Sequence, residues 1–60
     1  MMTMFRSYRD DDALVVVEDG TTIVVSGEIL AAAGLRQLRT GQRLVLELSA
    51  SGVPAAVRIP

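Results

Sequence analysis

Short runs of β-branched and alternating apolar residues, broken by glycine, recur along this chain. Ala13-Leu-Val-Val-Val-Glu18 and Thr21-Thr-Ile-Val-Val-Ser26 flank Asp19-Gly20, a dipeptide that tolerates positive φ at both turn positions. That combination predicts a β-hairpin. Further on, Leu44, Leu46 and Leu48 alternate with Val45 and Glu47, the spacing of a strand with one apolar face. Ser49-Ala-Ser-Gly52 makes the next turn, and Val53–Ile59 is the closing strand. Pro54 places that strand at an edge or near its own start, because proline has no N–H to donate to a ladder.

A first strand is expected over about Met2–Tyr8. The next residues, Asp10-Asp11-Asp12, are expected in solvent, since adjacent carboxylates repel and cannot be buried unpaired. Glu28–Ala33 has helix-forming composition but is too short to stand alone, so one turn of α- or 3₁₀-helix is expected, capped by Gly34 at C′. Gly20, Gly27, Gly34 and Gly41 lie seven apart, yet the segments between them share no pattern, so they mark turns rather than a repeat. Five short strands of this kind hide their edges by closing on themselves, and the expected fold is all-β: a five-stranded antiparallel barrel with a short helical turn between strands 3 and 4.

Composition narrows the function. Sixty residues allow one domain, 1–60, and a thin stability margin. With no cysteine there is no disulfide and no thiolate metal site; with no histidine the usual general base and commonest zinc ligand are missing. Ser7, Ser26, Ser49 and Ser51 have neither histidine nor lysine to activate them. No glycine-rich phosphate loop occurs. An enzyme is not expected, and neither is a cofactor, a metal or a small-molecule substrate. Six arginines and no lysine face seven acids, for a formal charge of -1, without the basic excess usual in chains that hold phosphate backbones. The apolar fraction, 50 %, is high for so small a domain, with Phe5 and Tyr8 the only aromatics. Either a dense aliphatic core or a covering partner accounts for it. The longest apolar runs, Ala13–Val17 and Ile29–Ala33, are far shorter than a bilayer span, and the start lacks a signal-peptide pattern, so the expected location is cytoplasmic, with no membrane partner.

The second half of the chain resembles the bacterial cold-shock proteins. Gly34-Leu-Arg-Gln-Leu-Arg-Thr-Gly-Gln-Arg-Leu-Val-Leu-Glu-Leu48 is similar to that family's G-[FY]-[KR]-x-L-x-x-G-Q-x-V-x-F-x-[VI] run, with Gly34, Leu38, Gly41 and Gln42 in place. Gly52-Val53-Pro54-Ala55-Ala56-Val57 is similar to the terminal G-P-x-A-A-N-V, and Glu18-Asp19-Gly20 matches the D-D-G turn. With a one-residue gap, Ile23-Val24-Val25 falls on the V-F-V strand. Translation initiation factor one and SH3-like barrels have comparable size or strand spacing, but the Gly34–Leu48 run fits the cold-shock pattern better. The resemblance covers nearly the whole chain and implies an OB-type barrel that binds single-stranded RNA or DNA in gene regulation.

The family's binding positions are mostly altered here. Phe5 stands at the first-strand tryptophan position and Arg6 at the next aromatic one. K-G-F-G-F falls on Asp10-Asp11-Asp12-Ala13-Leu14, its lysine replaced by Asp10 and its phenylalanines by Asp12 and Leu14. V-F-V-H-F reads Ile23-Val24-Val25-Ser26-Gly27, and the loop aromatic is Leu35. Stacking contributes about 1–3 kcal/mol per base, so losing several such contacts removes roughly 5 kcal/mol, or several thousand-fold in affinity. Two readings follow. In one, the chain is a cold-shock-like regulator with weak or atypical nucleic-acid binding, Phe5 stacking and Arg6, Arg9, Arg36 and Arg43 meeting phosphate. In the other, Phe5, Leu14, Val24 and Val45 share an aliphatic outer face that forms a homodimer or binds a partner protein.

Overall fold

The computed structural model describes residues 1–35 and 37–60, so Arg36 lies outside the described residues. The elements run β1 (Met2–Arg9), β2 (Asp12–Val16), β3 (Thr22–Val25), α1 (Gly27–Ala32), β4 (Arg43–Leu48) and β5 (Pro54–Arg58). All five strands join one antiparallel sheet in the order β3-β2-β1-β4-β5. The all-β character, the five strands and the short helix between the third and fourth strands are as expected. The sheet, however, is not closed, and β3 and β5 are its two edges. Neighbours alternate in direction, so β3 and β5 run the same way, and closing the ring requires a parallel pairing between them. The helix α1 instead packs against β5 and β2. Pro54 is both the first residue of its strand and on an edge strand, the two places where a missing N–H costs nothing.

The concave face of the curled sheet holds the core: Phe5, Ala13, Val15, Val25, Leu44, Leu46 and Val57 from the strands and Leu30 from α1. Ile23, Ile29, Leu35 and Leu38 pack around them. Thr3, the one buried polar residue among the described residues, donates its hydroxyl to the Leu44 carbonyl at 3.0 Å, so its burial leaves nothing unsatisfied.

In β1, Phe5 opposes Val15 and Ser7 opposes Leu14, so two steps on β1 match one on β2. Arg6 is the extra residue of a β-bulge. The bulge turns Tyr8 to the same side as Phe5, and their rings meet at 4.8 Å between centroids. Beyond the start of β4, loop 37–42 continues along β1. Phe5 donates its N–H to Gln42 and accepts from Gly41 (2.7 and 2.9 Å), while the Leu38 N–H donates to the Tyr8 hydroxyl at 2.8 Å.

Turn chemistry departs from the simplest expectation in two places. At the β2–β3 hairpin only Gly20 has positive φ (91°), while Asp19 does not. Gly20 N–H donates to Val17 C=O and Val17 N–H to Thr21 C=O, which makes a three-residue loop, Glu18-Asp19-Gly20, with the glycine left-handed. The Asp19 carboxylate accepts the Thr21 N–H at 2.9 Å, and that bond lowers its pKa below the ordinary aspartate range. Secondly, Asp12 is half-buried rather than free in solvent: its carboxylate accepts the Gly27 N–H at 2.9 Å. The first turn of α1 has amides without helical partners, and Asp12 satisfies one while Ser26 caps Ile29. At the other end, Leu35 N–H reaches Leu30 C=O and Gly34 N–H reaches Ala31 C=O, with Gly34 at φ 74°, a Schellman cap.

Gly27 stands where β2 and α1 touch. A Cβ there would sit 2.8 Å from the Asp11 carbonyl oxygen, a backbone atom that cannot swing aside. Helix propensity alone favours alanine over glycine by about 1 kcal/mol. Gly27→Ala is nevertheless expected to destabilise the fold by roughly 1–3 kcal/mol, read as a lowered denaturation midpoint, because overpacking outweighs propensity. Asp19, with its lowered folded-state pKa, stabilises the hairpin fully above the ordinary aspartate range. That contribution is lost as pH falls through the folded-state value. Asp19→Ala should therefore flatten the acid limb of a stability–pH curve.

Candidate functional site

Strand alternation fixes what the convex face of the sheet presents. With Ala13, Val15, Val25, Leu44, Leu46 and Val57 directed inward, their neighbours Leu14, Val16, Val24, Arg43, Val45 and Arg58 point outward. On β1, Thr3 and Phe5 are buried, so Met2 and Met4 face out. The registers bring these residues together. Leu14 opposes Val24; Met4 lies between Val16 and Arg43; Val45 lies between Met2 and Arg58. The result is an aliphatic and methionine stripe crossing the sheet from β3 to β4, with Arg43 and Arg58 beside it.

Exposure along the stripe is substantial: Met2 is 49 %, Met4 46 % and Val24 39 % exposed, with Leu14, Val16 and Val45 half-buried. Near the β2–β3 hairpin the stripe dips into an open depression lined by Met2, Met4, Val16 and Arg43, with Glu18 and Asp19 at its rim. The stripe thus has an apolar centre that includes methionine and is bounded by charged residues.

The expected site residues divide sharply. Leu14, Val24 and Val45 share the outer face. Phe5 does not: it is 2 % exposed, opposite Val15 and against Tyr8, and cannot offer its ring to a base. This corrects both roles foreseen for it, stacking residue and outer-face residue. Arg6 is exposed at the bulge, its carbonyl accepting the Thr40 hydroxyl at 2.9 Å. Arg43 is exposed on the outer face, whereas Arg9 sits at the far end of β1 opposite Asp12. Among the described residues, Arg6 and Arg9 thus lie on β1 and Arg43 at the start of β4. Met2, Met4, Val16 and Arg58 belong to the face but were not foreseen there. Alternation gives no parity in the first strand, because Met1, Met2, Met4 and Phe5 are all apolar and surround a single threonine.

The other concavity of note lies at the opposite corner, where Asp10, Asp11, Asp12 and Glu28 surround Tyr8 and Ser26. Its negative charge repels phosphate. Among the described residues no group of three or more carboxylates is placed to hold a metal ion, and no helix is long and apolar enough to cross a membrane. No family model matches the chain, no curated protein resembles it, and no solved structure matches it.

The placement of Phe5 has a direct test. A surface stacking residue can be truncated with little loss of stability, whereas a buried phenylalanine costs about 3–5 kcal/mol when cut to alanine. Phe5→Ala is expected to leave the chain largely unfolded in circular dichroism and thermal melts. A near-native melting temperature would place the ring at the surface.

Proposed function

We propose that the chain is a divergent cold-shock-like module that acts through protein contact, docking a partner on its convex sheet face in place of single-stranded nucleic acid. The observation that carries this reading is the burial of Phe5: the single aromatic retained at the family's stacking positions is core, and the face carries Leu14, Val16, Val24, Val45, Met2 and Met4. Stacking on surface rings is a sequence-tolerant source of single-strand affinity, and this face has no ring to supply it. The strand order supports the family relationship. An OB-type barrel opened between its third and fifth strands has the order β3-β2-β1-β4-β5, with those two strands parallel.

A second reading, weak phosphate contact in gene regulation, draws on the exposure of Arg6 and Arg43. Fluorescence anisotropy of a labelled pyrimidine oligonucleotide at low and physiological salt separates the two. The protein-contact reading expects no binding at either salt. Binding that weakens as salt rises overturns it in favour of the second. For the face itself, Met4→Asp and Leu14→Asp are expected to abolish partner association at least ten-fold, since each buries a carboxylate in an apolar contact. Their denaturation midpoints should stay close to that of the parent chain.

A further inference from the structure

The two edges of the sheet are not equally protected. β5 begins with Pro54, carries a bulge at Ala55 where Glu47 opposes Ala56 and Leu48 opposes Pro54, ends on Arg58, and has α1 against it. Proline, bulges, charges and covering helices are the devices that stop a free edge from pairing with another chain. β3 has none of the first three. Thr22-Ile-Val-Val25 is β-branched throughout, uncharged, and in unbroken register with β2 over four successive pairs.

The backbone of β3 also faces the right way. Val17 and Thr21 form a hydrogen-bonded pair at the hairpin loop. Hydrogen-bonded and non-bonded pairs alternate along an antiparallel ladder. Val15·Ile23 and Ala13·Val25 are then bonded pairs, while Val16·Thr22 and Leu14·Val24 are not. Thr22 and Val24 therefore direct their N–H and C=O groups away from β2, toward the open edge.

We propose that this edge is the interface between two copies of the chain, β3 pairing antiparallel with β3 of the second copy about a two-fold axis at Ile23. In that register Thr22 of each copy opposes Val24 of the other, and each such pair exchanges two backbone bonds, so all outward groups of both residues are satisfied. Ile23 meets its symmetry mate on the concave side, where it already packs against the core. On the convex side the Met4–Val16–Thr22 row of one copy continues into Val24–Leu14 of the other. A segment that satisfies its own reverse complement in this way fits an isologous dimer better than an unrelated peptide. The edge is a different surface from the convex face, so this dimer stands or falls independently of partner docking there.

Sedimentation over a wide concentration range tests it. The mass is expected to rise from 6.4 kDa to twice that value with increasing concentration. Thr22→Pro removes an outward N–H at the first position of β3, where proline disturbs no bond to β2, and is expected to weaken association at least ten-fold. Amide exchange on the parent chain provides a reading independent of any variant: Thr22 and Val24 should gain protection with concentration while Ile23 and Val25 are protected throughout. A mass of 6.4 kDa at every concentration overturns the proposal. So does a dimer in which Thr22 and Val24 remain unprotected, or one that Met4→Asp dissolves and Thr22→Pro leaves intact.

Discussion

One extra residue in β1, Arg6, turns the Tyr8 ring to the side where Phe5 already lies. In an unbroken ladder Tyr8 would oppose Asp12 on the convex face. With Arg6 left out of register it opposes Ala13 on the concave face instead, its ring against Phe5 and its hydroxyl accepting from Leu38. Loop 37–42, which has no strand of its own, is tied to β1 through that hydroxyl, through Gln42 and Gly41 on Phe5, and through Thr40 on the Arg6 carbonyl. The bulge thus closes the open end of the core and leaves the convex face without a ring.

The consequences for binding follow from what remains on that face. Aliphatic side chains and thioethers have no π-surface, so they gain from water exclusion and shape fit, not from contact with stacked bases. Methionine adapts its three torsions to an irregular surface, and Met2 and Met4 occupy the middle of the stripe. The carboxylates Asp10, Asp11 and Glu28 gather at the other corner, around the start of α1. A phosphate backbone that reaches that corner meets like charge.

Local chemistry made the elements legible in the sequence. β-Branched runs around Asp19-Gly20 gave the hairpin, alternating leucines gave β4, and Gly34 gave the end of α1, because each of these signals acts within a few residues. Facing was harder. The first strand is apolar at Met2, Met4 and Phe5 alike, so its pattern does not say which side is buried, and a bulge leaves no mark in such a run. The role of Asp12 was hidden for a different reason: its partner, the Gly27 amide, is distant in sequence and becomes available only when α1 is placed against β2. Closure of the ring was likewise unreadable, since it depends on a parallel contact between two strands that no turn connects.

Half of the 60 residues are apolar, yet the buried apolar core among the described residues consists of eight. A chain this small cannot enclose more, because surface falls too slowly with size. The remaining apolar side chains lie partly or wholly outside, among them Met2, Met4 and Val24 on the convex stripe, Leu48 on β4, and Val53 and Ile59 beside β5. The two edges differ in their backbones instead: β5 carries proline, a bulge and an arginine, features that discourage a further strand, whereas β3 offers an unbroken, uncharged, β-branched ladder.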